Sequence, residues 1–399
     1  MRSAYDVIVV GAGPAGSAAA MRAAQGGLDV LMIEKRQEIG VPVRCGEATD
    51  IDSTIQFIDL DERWINNRIE KYAIHNSTGE FVAVPPTGQT IILDRKVFDA
   101  ALAHKAAQEG VEVHVSTMAV GLLRDDAGKI CGVRVKSLGR EVDIRARLVI
   151  AADGTESQVA RWAGIKTVPP LADYYSGLQF TLAGMTQYID RQFCEYHIGN
   201  ETIAPGGYIW TFPKSEDTAN VGIVMSANFT REVSPQVWLE GFVERHYPGT
   251  SILSVVAGGI PVTGALKQMV TDGLMAVGDA AHQADPLTAG GIALGLMGAD
   301  MAMQVAVPAV KRGDVSTGTL REYEKLWRGR FGKMHDALYA IRKIISKMEQ
   351  AQFDALVRKA ASLPLDTMSQ AEILLSLLKS QPSLLLQART LVTTGLLLK

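Results

Sequence analysis

Three glycines at fixed spacing and one acidic residue are the first residues in this chain that could hold a cofactor. Gly11, Gly13 and Gly16 follow an apolar run of β-branched residues, and Glu34 ends a second apolar run. The first glycine would make a tight turn, the second would let the backbone approach a pyrophosphate, and the third would allow close helix–strand packing. Glu34 could accept hydrogen bonds from a ribose. The pattern predicts a dinucleotide site, with an ordinary strand–helix turn as the alternative.

Two further acidic residues stand at the ends of apolar runs. Asp153 ends the run at 147–152, and Asp279 ends the run at 273–278. Asp153 and the glycine after it could simply close a turn, whereas the Asp279 carboxylate could reach ribityl or ribose hydroxyls. A glycine pair ending at Gly291 then begins a long apolar helix, whose N-terminus would offer free N–H groups and a positive dipole end.

The elements that must position these residues change character along the chain. Apolar strands alternate with helices in the N-terminal part and again before residue 318, which is typical of a parallel α/β sheet. Residues 166–260 carry much of the aromatic content in short alternating runs, and they predict an antiparallel sheet. The predicted division is a split dinucleotide-binding domain (1–69, 94–165 and 261–318), a substrate domain (70–93 and 166–260) and a C-terminal helical region (319–399).

Composition narrows the classes of function. The 399 residues carry a net charge of −3, which gives no sign of a nucleic-acid partner. Cys45, Cys131 and Cys194 are too few and too scattered for a disulfide framework or a zinc site, so a cytoplasmic setting and no metal site are expected. The weakly charged stretch 287–310 is interpreted as a buried helix. The Leu-rich tail 371–399 could dock on lipid or pack as a helical pair.

The motifs, in this order and spacing, resemble the FAD-dependent hydroxylase-like superfamily, which has the p-hydroxybenzoate hydroxylase fold. A narrower resemblance rests on V-R-C-G-E at 43–47, Y-I-W-T-F-P-K at 208–214 and N-V-G at 220–222. These segments are similar to the geranylgeranyl reductase family, and most of all to its archaeal branch, which saturates the isoprenoid chains of ether lipids. The resemblance implies an α/β protein with a Rossmann-like FAD-binding domain, an inserted antiparallel β-sheet substrate domain and a C-terminal helical region.

The resemblance also implies a set of site residues. Together with the glycine motif, the expected FAD contacts are Gly11, Gly13, Ala15, Gly16, Glu34, Cys45, Gly46, Ala48, Arg95, Ala119, Asp279, Gly291 and Ile292. Tyr208, Trp210 and Phe212 alternate along one strand and would wall an apolar substrate channel, with plain core packing as the alternative. Cys45 could touch the flavin or help to deliver a proton, or it could be a small buried hydrophobe.

The implied reaction is the hydrogenation of geranylgeranyl C=C bonds, with a hydride from the N5 atom of reduced FAD and a proton for the other carbon. An external donor, whether ferredoxin, a deazaflavin or NAD(P)H, would reduce the flavin, and peripheral membrane contact is expected for a lipid substrate. Three alternatives remain at this point. They are an FAD-dependent monooxygenase of the same fold, a chlorophyll-type geranylgeranyl reductase, and a prenyl-lipid escort protein without redox activity.

Overall fold

A computed structural model describes residues 1–86, 88–200, 202–365 and residue 376. This part of the chain contains eighteen strands in three sheets, together with ten α-helices. The strands are β1 (Ala4–Val10), β2 (Val30–Ile33), β3 (Ala48–Asp50), β4 (Ile65–Ile69), β5 (Lys71–His75), β6 (Phe81–Val84), β7 (Thr90–Leu93), β8 (Glu112–His114), β9 (Thr117–Arg124), β10 (Ile130–Ser137), β11 (Arg140–Ala151), β12 (Tyr174–Ala183), β13 (Phe193–His197), β14 (Tyr208–Pro213), β15 (Thr218–Ser226), β16 (Ser251–Pro261), β17 (Val270–Thr271) and β18 (Leu274–Ala276). The helices are α1 (Pro14–Gln25), α2 (Ile51–Thr54), α3 (Arg95–Gln108), α4 (Gln158–Trp162), α5 (Pro235–His246), α6 (Ile292–Arg312), α7 (Thr317–Leu320), α8 (Glu322–Trp327), α9 (Lys333–Ile345) and α10 (Gln350–Ala361).

The first sheet has a parallel centre in the order β18-β11-β1-β2-β8. Its central strands contain continuous apolar runs because a parallel sheet is covered on both faces. Leu148, Val149 and Ile150, for example, are all fully buried. The sequence predicts separate strands at 141–144 and 147–152, but the structure has one, β11. Its first half pairs antiparallel with β10 and its second half joins the parallel sheet, which is why the polarity of the strand changes midway.

Helices α1 and α6 pack against each other over the first sheet. The Arg22 guanidinium on α1 lies 2.8 Å from the Asp300 carboxylate on α6. Among the described residues, α6 is the one helix long and apolar enough to cross a membrane, but 67% of its most apolar 18-residue window is buried inside the protein. The prediction of a buried helix in this stretch is therefore confirmed.

The second sheet has seven strands in the order β16-β12-β15-β14-β13-β5-β6. Side chains alternate between its faces, as in any strand. On β14, Ile209 packs with Leu239 and Phe242 of α5, whereas the neighbouring Trp210 belongs to a different apolar cluster on the opposite face. This second face borders the site described below.

The third sheet, β3-β7-β4, corrects one sequence interpretation. Residues 70–93 are predicted to belong together to the substrate domain, and β5 and β6 do join the seven-stranded sheet. In contrast, β7 pairs with β3 and β4. Ile91 and Leu93 pack into the core of the first sheet, while Ile92 packs with Trp210. Because β7 is buried on both faces, its pattern could not reveal which sheet it enters.

The end of the chain is helical as far as it is described, through α10. Helices α9 and α10 pack against β6, where Val82, Met348 and Phe353 form a small apolar cluster. The expectations for the tail at 371–399 lie outside the described residues, apart from residue 376. The predicted fold class is confirmed.

Candidate active site

The three positions of the first turn require or permit glycine for different structural reasons. Gly11 has a φ of +106°, and a Cβ there would lie 2.3 Å from the Ala152 carbonyl oxygen. A Cβ on Gly16 would lie 1.9 Å from the Gly11 carbonyl oxygen, so the close packing of helix and strand excludes any side chain. A Cβ on Gly13 would meet no atom of the described protein within 4 Å. Gly13 therefore leaves room for something other than the protein, at the start of α1.

A cavity of about 280 Å³ lies beside this turn, and its lining includes Gly11, Gly13, Glu34, Arg95, Ala119 and Asp153. Glu34 is held by two backbone donors, since its Oε2 accepts from the Ala12 amide at 3.1 Å and its Oε1 from the Arg36 amide at 2.9 Å. The remaining lone pairs of a carboxylate can accept hydrogen bonds from ribose hydroxyls. This geometry suits the predicted role of Glu34.

Asp153 carries an unsatisfied acceptor in the same cavity. Its Oδ2 accepts a hydrogen bond from the Val159 amide at 3.0 Å, but its buried Oδ1 has no hydrogen-bond partner in the described part of the chain. Burial raises the pKa of this carboxyl group, and the backbone donors partly oppose the rise. Buried polar atoms in proteins are nearly always hydrogen-bonded, so Oδ1 indicates a polar ligand at this point.

A second cavity, of about 990 Å³, adjoins the first, because Gly13, Arg44, Arg95, Ala152 and Gly154 line both. Its lining includes the remaining predicted residues, namely Ala15, Gly16, Cys45, Gly46, Ala48, Asp279, Gly291, Ile292, Tyr208, Trp210 and Phe212. Every residue that the sequence assigns to FAD or to the substrate channel thus lies on one or both cavities. Their individual contacts with FAD stay predictions.

Helix α6 points its N-terminus into the larger cavity beside Asp279. Gly291 is the N-cap residue and gives no side-chain cap, so the first N–H groups of the helix remain free to bind a ligand. A Cβ on Gly291 would lie 2.9 Å from Asp279 Oδ1. Burial raises the pKa of Asp279, and the positive charge of Arg95 opposes the rise.

Arg95 is oriented by a neighbour one helical turn away. Its Nε donates to Asp99 Oδ1 at 3.1 Å, and its terminal nitrogen donates to Oδ2 at 2.6 Å. This i,i+4 pair places a cation where both cavities meet, at the start of α3. Asp99 had no predicted role, although its i,i+4 spacing from Arg95 is visible in the sequence.

Cys45 lies on the larger cavity with its thiol proton retained. Its Sγ accepts a hydrogen bond from the Glu47 amide at 3.2 Å. Burial raises the pKa of the Cys45 thiol, and the nearby Arg95 charge opposes the rise. The thiol is therefore the dominant form at neutral pH, and it can donate a proton into the cavity.

Glu47 was quoted in a sequence motif without a role, and the structure makes it a central contact. Its side chain is only 2% exposed. Its Oε1 accepts from the Arg95 amide at 2.8 Å, and its Oε2 accepts from the Lys214 ammonium and from Asn220 Nδ2, the latter at 2.7 Å. Lys214 follows β14 and Asn220 lies on β15, so one buried carboxylate ties the Cys45 loop to two strands of the seven-stranded sheet.

The alternating aromatic residues of β14 form part of the cavity wall. The Trp210 ring lies over Gly222 on β15, where a Cβ would come within 2.1 Å of the ring atom Cζ2. A Cβ on Gly46 would lie 2.9 Å from Phe212 Cε2. The glycines of the R-C-G-E and N-V-G motifs are therefore needed to make room for the aromatic rings.

Further aromatic residues of the wall were missed. Tyr196 on β13 lies with its ring centroid 5.5 Å from that of Tyr208 and 5.4 Å from that of Phe212. Tyr72 and Tyr175 line the same cavity. Burial raises the pKa of both Tyr196 and Tyr208 well above its usual range, so their hydroxyl groups stay neutral. These tyrosines come from three separate strands and meet only in the folded sheet, so no sequence motif connects them.

The residues present fit FAD. Glu34 is suited to a ribose, the open Gly13 and the start of α1 to a pyrophosphate, and Asp279 and the start of α6 to a ribityl chain and the flavin edge. Arg95 supplies a positive charge between the two cavities. The unpaired Asp153 Oδ1 and the free space over Gly13 are features that the protein alone does not explain.

Two family descriptions match the chain. A geranylgeranyl reductase catalytic domain matches residues 173–260, which contain β12 to β15 and all but the last residue of β16 in the seven-stranded sheet. An FAD binding domain matches residues 4–204, about half of the chain.

Curated relatives are similar over nearly the whole length. A digeranylgeranylglycerophospholipid reductase of Methanosarcina acetivorans is 41% identical over 398 residues, which cover 98% of this chain and 97% of the relative. The protein of the same name from Methanosarcina mazei is 40% identical with the same coverage. Among solved structures, a geranylgeranyl bacteriochlorophyll reductase-like protein from Thermoplasma acidophilum is 35% identical with a TM-score of 0.91, covering 97% of this chain and 99% of that one.

Proposed function

The chain belongs to the geranylgeranyl reductase family, and we propose that it hydrogenates the C=C bonds of geranylgeranyl chains on an archaeal glycerophospholipid precursor. FAD is its cofactor. When bound and reduced, FAD supplies a hydride to one carbon of the alkene. The protein must then hold a long apolar chain beside the flavin, exclude water and provide a proton for the second carbon.

One observation carries this proposal, namely the lining of the larger cavity. Its volume of about 990 Å³ lies at the upper end of the range usual for ligand pockets. Close to the FAD-binding motifs the lining is aromatic, and it continues to Ile74, Val84, Ile198 and Phe353, which belong to the apolar cluster under α9 and α10. An isoprenoid chain has no polar handle, so a continuous apolar lining is what it requires.

We assign to Cys45 the donation of the proton that the second alkene carbon receives. Its thiol is neutral at pH 7 and lies on the same cavity as Asp279 and the start of α6, where the flavin ring is expected. The hydrogen bond from the Glu47 amide to Sγ fixes the sulfur and leaves the S–H proton available for the substrate. The loop that carries Cys45 is in turn held by the buried Glu47–Lys214 pair.

The reductant and the cellular site are also proposals. An external donor is favoured because the sequence contains one G-x-G-x-x-G motif, which is used for FAD, and ferredoxin, a deazaflavin and NAD(P)H are the three candidates. We place the protein on the cytoplasmic side with peripheral membrane contact. The support for this contact is the edge strand β16, where the apolar residues Ile252, Leu253 and Val255 are at least half exposed.

An anaerobic single-turnover experiment tests the function. Enzyme loaded with FAD and reduced with dithionite is mixed with digeranylgeranylglycerophospholipid, and the products are analysed by mass spectrometry. Each C=C bond that is hydrogenated should add about two mass units, since two hydrogen atoms are gained. An unchanged lipid would refute the proposal. In a parallel reaction with oxygen, a gain of about sixteen mass units would instead indicate the monooxygenase alternative.

A further inference from the structure

A cluster of two histidines and one glutamate lies on the seven-stranded sheet, away from the substrate cavity. His75 is on β5, and Glu195 and His197 are on β13, where His75 and His197 are direct partners in the parallel ladder. Side chains two positions apart in a strand share a face, so Glu195 and His197 point the same way. Tyr196, between them, lines the cavity on the other face.

The three side chains converge at metal-ligand distances. Glu195 Oε2 lies 3.4 Å from His197 Nε2 and 3.7 Å from His75 Nε2, and the three ligand atoms all lie within 4.8 Å of one another. Zinc binds histidine nitrogen and carboxylate oxygen at about 2.0–2.2 Å, so the ligand atoms of a tetrahedral site are about 3.4 Å apart. Closing this cluster onto one ion requires movements on the order of 1 Å.

The Nε2 atoms of the two histidines have no hydrogen-bond partner among the described residues. His75 Nε2 and His197 Nε2 are both buried and make no hydrogen bond within the described residues. The residue His197 as a whole is only 8% exposed. Two buried nitrogen atoms without partners, both facing one carboxylate, need an explanation.

We propose that His75, Glu195 and His197 form a structural binding site for a divalent transition metal of the zinc class. Imidazole and carboxylate together suit zinc, whereas an all-oxygen set would suit magnesium or calcium. The fourth position is left for water or for His246 of α5, whose ring centroid lies 6.1 Å from that of His197. No metal site was predicted from the cysteines, and the histidine–glutamate cluster was not visible because its residues come from two strands, β5 and β13, that lie far apart in the chain.

Such a site would cross-link β5 to β13 in the seven-stranded sheet. Within the described part of this sheet, β5 and β13 form the parallel pair, and all other neighbouring strands are antiparallel. The metal would link residue 75 to residues 195 and 197, and so attach the β5–β6 hairpin to the inserted strands. Tyr72 and Tyr196, on the opposite face of the same two strands, would be held in place as part of the cavity wall.

The test uses tag-free, FAD-loaded protein that has been stripped with EDTA and dialysed against zinc chloride. Mass spectrometry of the metals should find about one zinc per chain, and thermal unfolding should move to higher temperature with added zinc. Glu195→Gln and His75→Gln should lose both effects while they retain FAD and melt like the metal-free protein. His104→Gln, which changes an exposed histidine on α3, should behave like the unmodified protein.

Two results would overturn the site. One is zinc binding below about 0.1 per chain in the unmodified protein, and the other is equal zinc binding by the unmodified protein and by Glu195→Gln. If the variants fail to fold, X-ray absorption on the zinc-loaded unmodified protein decides the matter. Two imidazole nitrogens at about 2.0 Å support the site, and a shell of oxygen atoms alone refutes it.

Discussion

Replacing Lys214 with methionine should detach the Cys45 loop from the sheet that walls the cavity. The Lys214 ammonium pairs with the Glu47 carboxylate, and the two side chains are 20% and 2% exposed. Methionine keeps most of the apolar length of the side chain and removes only the charge. Glu47 would then keep the Asn220 amide and the Arg95 backbone N–H as donors, but its buried carboxylate would lose the ammonium group with which it forms an ion pair.

The expected loss in the free energy of unfolding follows from the burial of this ion pair. Removing one partner of a buried ion pair typically destabilises a protein by about 3–5 kcal/mol, because a buried charge is left unpaired. Two hydrogen-bond donors remain for Glu47, so we expect the lower end, about 3 kcal/mol. A shift of the loop by about 1 Å would also lower the rate of alkene reduction on the order of 10²-fold. FAD binding should change little at its ADP end, because Gly13 and Glu34 lie on other elements.

A double-mutant cycle measures the effect. Urea unfolding at pH 7 is followed for FAD-loaded Lys214→Met, Glu47→Gln and the double variant. The double variant should lose less stability than the sum of the single variants, by more than about 1 kcal/mol. Lys325→Met is the matched control, since Lys325 pairs with Glu322 at the surface and its loss should cost less than about 1 kcal/mol. Additive single effects, or a Lys214→Met cost no larger than that of the control, would refute the assigned role of the pair.

Three further predictions concern the cavity lining. Gly222→Ala places a methyl group within 2.1 Å of the Trp210 ring, so it should cost about 1–3 kcal/mol in urea unfolding and change the tryptophan fluorescence. Gly13→Ala should leave the stability of the apoprotein within about 0.5 kcal/mol and weaken FAD binding in a fluorescence titration, whereas Gly16→Ala should cost about 3 kcal/mol or more because of its backbone clash. Because burial raises the pKa of Cys45, its alkylation by iodoacetamide should accelerate only above the ordinary thiol pKa of about 8.5, and an inflection below pH 8 would contradict the protonated thiol.

The parts of the fold that could be predicted from sequence are those with local causes. The turn from β1 into α1 was recognisable because its glycines have local causes: Gly11 has a positive φ, and a Cβ on Gly16 would meet the carbonyl oxygen of Gly11 in the same turn. Arg95 was named because the resemblance to the family implied it. In contrast, the sheet to which β7 belongs depends on its being buried between two cores, which leaves no alternating pattern to interpret.

The polar contacts that hold the site together could not be predicted, because their partners are far apart in the chain. Glu47 and Lys214 are separated by 167 residues, and Glu47 and Asn220 by 173. All three belong to motifs that the sequence analysis quoted, so the residue types were visible while their pairing was not. The partnership of His75 with His197 likewise depends on the register of two parallel strands that are brought together only by the folded sheet.

The chemistry of an apolar cavity limits which group can provide the proton. An ionised donor would be costly to bury beside an isoprenoid chain, whereas a neutral acid is tolerated. Cys45, Tyr196 and Tyr208 are neutral acids on this cavity, and burial raises the pKa of each. The Tyr208 hydroxyl, however, donates its hydrogen bond to the Thr288 carbonyl oxygen, so its proton is engaged by the protein. The Cys45 sulfur accepts a hydrogen bond from the Glu47 amide and keeps its own proton free. A thiol is also ordinarily a stronger acid than the phenol of Tyr196 or Tyr208. Replacing Cys45 should therefore impair protonation more than replacing Tyr208 with phenylalanine, which keeps the aromatic wall.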